Sequence, residues 1–256
     1  MLTLATGADR AKLERFCKGS LLGTYLGSRL RCYGFGFDFV RFWLGEADGE
    51  ICAVLGTLDS AAVLLAAPSA DHEELSAFLR MQSFSSMMTA AKTAERCGLE
   101  NYVKKQAFVF TGGEAVRPAP EPDDMKAVYA LISREIPGSF SAAREAYLSF
   151  LSDYTFRKNR GAARAAALTE QGALCACALT AAETDQAAVL SGVAVDPRFR
   201  GKGFGRRVVL SLANALQAEG KTAYVIALND SAAQFYARIG FAPYRELAII
   251  ERTAYV

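Results

Sequence analysis

Between Thr111 and Asp124 the chain reads TGGEAVRPAPEPDD, and two glycines with three prolines deny that stretch a regular helix. On either side of it the hydrophobic periodicity runs through the same order of elements. The first half gives helices near 10–18 and 21–30, apolar strand-like runs at 39–44, 51–57 and 61–67, and a helix over 73–81. A short strand near 84–88, a helix to Cys97 and a strand near 103–110 complete it. In the second half, Asp123 or Asp124 caps a helix to about Glu135, and a second helix spans 142–151. Strands at 163–168, 173–180 and 187–195 follow. A helix over 203–219 comes next, with Phe204, Val208, Leu212 and Leu216 four residues apart. A strand (223–228), a helix (231–239) and a strand (244–252) close the pattern. Each half is ααβββαβαβ, which predicts an α/β (α+β) chain built as a repeat, with domains 1–112 and 113–256. At an offset of 142, Ala90, Ala91, Arg96, Gly98 and Tyr102 meet Ala232, Ala233, Arg238, Gly240 and Tyr244.

Composition narrows what such a chain does. A formal net charge of +2 over 256 residues argues against a general nucleic-acid binder, which needs a face-wide excess of Lys and Arg. The opening MLTLATGADR has neither a basic leader nor a long apolar run, so no secretory signal is expected. The apolar stretch 51–67 is interrupted by Gly56, Thr57, Asp59 and Ser60, so no membrane span is expected either. Six cysteines without a CxxC, beside the single histidine His72, predict buried free thiols in a reducing, cytoplasmic setting and no metal site.

Local charge tells more. DPRFRGKGFGRR, Asp196 to Arg207, gathers Arg198, Arg200, Lys202, Arg206 and Arg207 around Gly201, Gly203 and Gly205. A glycine-rich loop between a strand and a helix aims several backbone N–H groups at one point, where the helix dipole adds positive charge. The expected ligand is a phosphate or pyrophosphate, with Arg200 and Arg206 as ionic partners. A mononucleotide loop is excluded because Lys202 is followed by Gly203 and not by Ser or Thr. A dinucleotide fingerprint fails because Glu219, the acid at the right spacing, ends the helix and does not follow a strand.

Arg200-Gly201-Lys202-Gly203-Phe204-Gly205 resembles the Arg/Gln-x-x-Gly-x-Gly/Ala motif of the Gcn5-related N-acetyltransferase (GNAT) superfamily. NDSAAQFYARIGF, Asn229 to Phe241, resembles that family's second signature, and the likeness covers about 116–252. The resemblance implies two tandem GNAT-like domains, each a mixed, mostly antiparallel sheet flanked by helices. It implies that Arg200, Gly201, Lys202, Gly203, Phe204, Gly205 and Arg206 hold the pyrophosphate of acetyl-coenzyme A. It also implies that strand 187–195 splays from its neighbour so that Val193, Ala194 and Val195 receive the pantetheine arm. Gly192 fits either a bulge beside that site or close packing. Asn229 bonds the pantetheine or the neighbouring strand, or caps a helix, and Tyr236 is the proton donor or a core residue. The implied activity is direct transfer of an acetyl group to a small-molecule or peptide amine; a coenzyme A-binding sensor or scaffold is the alternative. Neither nucleic acid nor membrane is an expected partner, and a homodimer is compatible with this reading.

Some family members carry a glutamate on the strand before the loop, but 186–195 holds no carboxylate here. Glu183 and Asp185 are either the general base or a solvated hairpin tip. In the first half the loop position reads Pro68-Ser69-Ala70-Asp71-His72-Glu73-Glu74, without glycine and with three carboxylates that repel pyrophosphate. Ala94 stands where Tyr236 would. A degenerate first domain that binds no coenzyme and walls the acceptor pocket is expected. Arg29, Arg31, Tyr33, Phe35 and Phe37 either reach that pocket or form a packed loop.

Overall fold

The computed structural model describes residues 2–136, 141 and 143–251; Ala142 and Arg252, each at the end of an expected element, lie outside the described residues. The chain packs as two units. One comprises Met1–Ala107, Ala227–Asn229 and Tyr244–Val256, the other Phe108–Ile226 and Asp230–Pro243.

In the first unit, helices α1 (Arg10–Phe16) and α2 (Leu21–Tyr33) follow a short strand, β1 (Thr3–Leu4). Strands β2 (Val40–Ala47), β3 (Glu50–Leu58) and β4 (Ala61–Ala66) form an antiparallel meander. Asp48 and Gly49, both at positive φ, make the first of its tight turns. Helix α3 (His72–Met81) carries the chain to β5 (Ser86–Ala90), which pairs parallel to β4. Next come α4 (Ala91–Arg96) and β6 (Tyr102–Phe110). Leu55, Leu64, Leu75, Leu79, Phe84 and Met87 form the core between sheet and helices. The last strand of the chain, β11 (Phe241–Glu251), lends its second half to this unit, with Leu247–Glu251 antiparallel to β5.

The second unit repeats the plan. Asp124 accepts hydrogen bonds from Lys126 N and Ala127 N and so caps α5 (Met125–Glu135), and α6 (Arg144–Lys158) follows. Strands β7 (Ala165–Glu170), β8 (Ala173–Glu183) and β9 (Ala187–Val195) are again an antiparallel meander. Helix α7 (Phe204–Ala218) leads to β10 (Thr222–Ile226), parallel to β9, and α8 (Asp230–Arg238) precedes β11. Of the expected apolar stripe, Val208, Leu212 and Leu216 are buried, while Phe204 is half-buried against Phe199. The offset of 142 superposes the last residues of α4 and α8, Arg96 and Arg238, and the positive-φ glycines Gly98 and Gly240. All six cysteines are free and buried.

Glu183 corrects an expectation. It is not part of a solvated hairpin tip: its carboxylate is fully buried and bonded by Arg164 and, at 2.8 Å, by Lys221. Arg164 and Lys221 also reach Glu219, at 2.6 and 3.0 Å. Two cations and two carboxylates thereby tie the approach to β7, the end of β8, the end of α7 and the start of β10. The exposed tip begins two residues later, at Asp185. Removing the buried carboxylate strands its cations, so Glu183→Ala is expected to lower unfolding free energy by about 3 kcal/mol in urea titrations. Hydrogen bonds from Arg164 hold the Glu219 carboxyl down to about 2. A folded-state value below the unfolded one stabilises above the unfolded value. The Glu219 contribution is therefore complete at neutral pH and lost as pH falls from about 4.5 toward 2. Glu219→Gln should flatten that part of the acid-stability curve.

Candidate functional site

The parallel pairing of β9 with β10 runs from Ala187–Thr222 to Leu190–Val225 and stops, although β9 continues to Val195. On its other side β9 stays paired to β8 as far as Val195–Ala176. Ser191 to Val195 therefore present one edge of peptide groups that β10 does not use. Within this segment Gly192 and Val193 together oppose Ala178, one extra residue on β9, which makes a bulge. Gly192 sits at φ 58°, and a Cβ there would lie 2.8 Å from Leu179 Cδ1 and 2.9 Å from Ile132 Cδ1. Both readings of this glycine hold: the bulge needs its backbone, and the approach of α5 needs its missing side chain. Ala194 is buried, while Val193 and Val195 are half-buried on the opposite face.

Past Val195 the chain makes one tight turn, Pro197–Phe199, capped by the Asp196 carboxylate on Arg198 N. Gly201 and Gly203 follow at φ 78° and 80° with open space where a Cβ would sit, so conformation alone demands glycine at both. The first backbone bond at the start of α7 runs from Arg207 N to Gly203 O. Among the described residues, the N–H groups of Gly201, Lys202, Gly203, Phe204, Gly205 and Arg206 have no protein acceptor. No side chain caps this end, and no acid stands in its first turn. The missing side chain of Gly205 brings α7 against Val195 and Phe235, so loop, splayed strand and α8 meet here.

The cations of this loop already have partners. Arg198 bonds Asp196 at 2.9 Å, holding that carboxyl well below the usual range. Arg200 bonds Glu135 at 2.5 Å and reaches Val195 O at 3.4 Å. Lys202 lies 3.9 Å from Glu170, Arg206 pairs with Glu114, and Arg207 bonds Arg117 O. All four paired cations are exposed; the Lys202 and Arg206 pairs are open on both sides and contribute little, whereas the Asp196 and Glu135 carboxylates are nearly buried. Glu135 and Glu114 escaped the sequence reading because no local pattern links them to residues 65 and 92 positions away.

On α8, the Tyr236 ring packs against Phe108, Phe235 and Phe241. Burial pushes its phenol up from the ordinary value, and no hydrogen-bond partner for its hydroxyl lies among the described residues. Asn229, just before α8, is exposed and belongs to the first unit. Glu183 pairs in register with Ala188, seven residues from Val195 and so roughly 23 Å along the strand. It lies outside the splayed edge, buried and held by Arg164 and Lys221, which is not the position of a base there.

The first unit has the same splay, with β4 and β5 paired only over Ala61–Ser86 to Val63–Met88. There, however, the Thr89 hydroxyl donates to Leu64 O at 2.9 Å. Asp71 accepts from Glu73 N and Glu74 N at the start of α3, with Glu73 and Glu74 adding charge to the first turn. Arg29, Arg31 and Tyr33 lie on α2 and not in a loop, with Phe35 and Phe37 just after it; Arg29 bonds Gly56 O at 2.7 Å, Tyr33 packs on Phe37, and Phe35 packs on Phe42.

A family model described as FR47-like protein matches residues 167–249 of the chain. A "[Ribosomal protein bS18]-alanine N-acetyltransferase" of Escherichia coli (strain K12) is 29% identical over 121 residues, 46% of this chain and 81% of that protein. Among solved structures, an acetyltransferase from the GNAT family from Colwellia psychrerythraea aligns over 98% of this chain and 100% of its own, with TM-score 0.60 and 14% identity. A tandem GNAT protein from the clavulanic acid biosynthesis pathway aligns over 98% of both chains, with TM-score 0.61 and 16% identity.

The two glycines of the site should respond differently to alanine. Gly203→Ala adds only a left-handed backbone penalty of about 1 kcal/mol, because space is open there. Gly192→Ala adds the clash with Leu179 and Ile132 and is expected to cost about 3 kcal/mol. Urea denaturation of both variants measures the difference, and equal costs would contradict the bulge geometry.

Proposed function

We propose, on the likeness of its sequence and of its twofold tandem fold to Gcn5-related N-acetyltransferases, that the chain is a member of that superfamily and that its second unit moves an acetyl group from acetyl-coenzyme A to a primary amine by direct transfer in a ternary complex. The observation that carries this reading is the contrast between two helix starts. That of α7 offers a run of unused amides, and that of α3 is filled by its own Asp71. The pyrophosphate is received by the amides of Gly201 to Arg206, with Arg200 and Arg206 exchanging their carboxylate partners for it. The pantetheine pairs along Val193, Ala194 and Val195.

Acyl transfer needs a stabilised oxyanion and a proton for the departing thiolate. Amide donors on the Val193–Val195 edge polarise the thioester carbonyl. Tyr236, kept neutral by burial, stays protonated across the working pH range, as a proton donor must. Strand β9 offers no carboxylate and Glu183 is remote, so the amine arrives deprotonated or loses its proton through a water relay. The transfer as proposed uses no metal, and among the described residues no group of three or more His, Cys, Asp or Glu is placed to hold one. No helix of the described residues is long and apolar enough to cross a membrane. From the six free, buried thiols we infer a reducing, cytoplasmic setting.

The first unit binds no coenzyme in this reading, because Thr89 and Asp71 already occupy the equivalent carbonyl and amides. The acceptor is a small-molecule or peptide amine. The Escherichia coli relative makes the alanine amine of a protein the first to test. The missing carboxylate favours a second reading, a coenzyme A-binding sensor without turnover.

Calorimetric titration of acetyl-coenzyme A is expected to show micromolar-range binding to the wild type, abolished in Gly203→Glu. A folded wild type that binds nothing would sink the proposal. Given an accepted amine, Tyr236→Phe should keep coenzyme binding and lose at least about 100-fold in turnover. Binding without turnover for any amine would instead favour the sensor.

A further inference from the structure

Arg200 touches two things at once. Its Nε reaches the Val195 carbonyl on the unpaired edge of β9, and its Nη2 reaches Glu135 Oε2. Glu135 ends α5, its side chain is about 10% exposed, and its second cation is Arg134, whose Nε bonds it at 2.7 Å. Arg134 in turn reaches Asp196 at 3.0 Å, so α5 is pinned where β9 ends. With both contacts on one rigid guanidinium, the Glu135 carboxylate lies within roughly 8 Å of the Val195 carbonyl. It is therefore a nearly buried carboxylate at the mouth of the splay, covered by the arginine of the glycine loop.

We propose that Arg200 is a two-position switch: coenzyme pyrophosphate draws it off Glu135, and the freed carboxylate then receives a cationic group of the acceptor other than the amine that is acetylated. This rests on the reading of the loop as a coenzyme site. A pyrophosphate gives a guanidinium a more highly charged, bidentate partner than a single carboxylate does, and the unused amides of Gly201 to Arg206 fix that anion beside Arg200. Arg134 stays bonded to Glu135 and holds that carboxylate in place. Until the coenzyme is bound, this carboxylate is taken, so the acceptor's second cation has no partner there. Glu135 is in this way an acceptor-binding residue controlled by the coenzyme. The switch also accounts for an arginine that faces a carboxylate although its loop is built for an anion.

The test needs only coenzyme A as the probe. Since Glu135 competes with pyrophosphate for Arg200, Glu135→Gln is expected to tighten coenzyme A binding about two- to fivefold in calorimetric titration, the worth of a pair whose cation stays exposed. The same substitution in an Arg200→Ala background is expected to change nothing. On the wild type, carbodiimide coupling of methylamine to Glu135, read by peptide mass spectrometry, should rise when coenzyme A is added. Unchanged or weaker coenzyme binding in Glu135→Gln, or coupling that stays level or falls, would overturn the switch while leaving the coenzyme site standing. A wild type that binds no coenzyme A would overturn both.

Discussion

The candidate site depends on a pairing that ends early. Parallel strands of unequal twist and length share hydrogen bonds only while they run side by side, and β9 and β10 do so for four residue pairs. Beyond Leu190 the strand is held from one side alone. Its peptide groups on the other side need partners, and a ligand can supply them. The bulge at Gly192 increases the local bend, and α5 covers the bulge through Ile132. The turn after Val195 then places a helix start, rich in unused amides, at the end of the same edge.

The first unit shows what happens when that opening is closed from within. It keeps the order of elements and the short parallel pairing, yet Thr89 satisfies a carbonyl of the splay and Asp71 satisfies the helix start. Sheet and helices need only the hydrophobic pattern, so the fold forms with carboxylates where the second unit has its glycine loop. Chemistry is more demanding, because an anion site requires free donors and the absence of competing charge.

Charge in the second unit is divided between two ends of the sheet. At one, the buried Glu183 carboxylate with Arg164, Lys221 and Glu219 forms a balanced set that ties four elements together. At the other, the guanidinium groups of Arg198, Arg200 and Arg206 are themselves exposed and within reach of an anion from solvent. Burial makes the first set costly to disturb. Exposure leaves the second open to an anion.

Much of this was legible in the sequence. Periodicity and turn residues determined the ααβββαβαβ order in both halves, the stripe on α7, and the placement of the glycine loop between strand and helix. These signals are local: side-chain spacing of two or 3.6 residues, proline without a donor, glycine at positive φ. The carboxylates at the first half's loop position argued against an anion there from sequence alone, since they repel pyrophosphate wherever the chain places them. The two-residue strand β1 gave no periodic signal, being too short to show one, and exists only because it lies against Trp43 and Leu44. What only the tertiary structure decided were such pairings between distant residues: where β9 parts from β10, that Glu183 is buried at the far end from Val195, and that Arg200 rests on Glu135. The end of β11 likewise joins β5, an element laid down long before it in the chain. Such contacts depend on how sheets twist and helices dock, and residues far apart in the chain carry no mutual signal until packing brings them together.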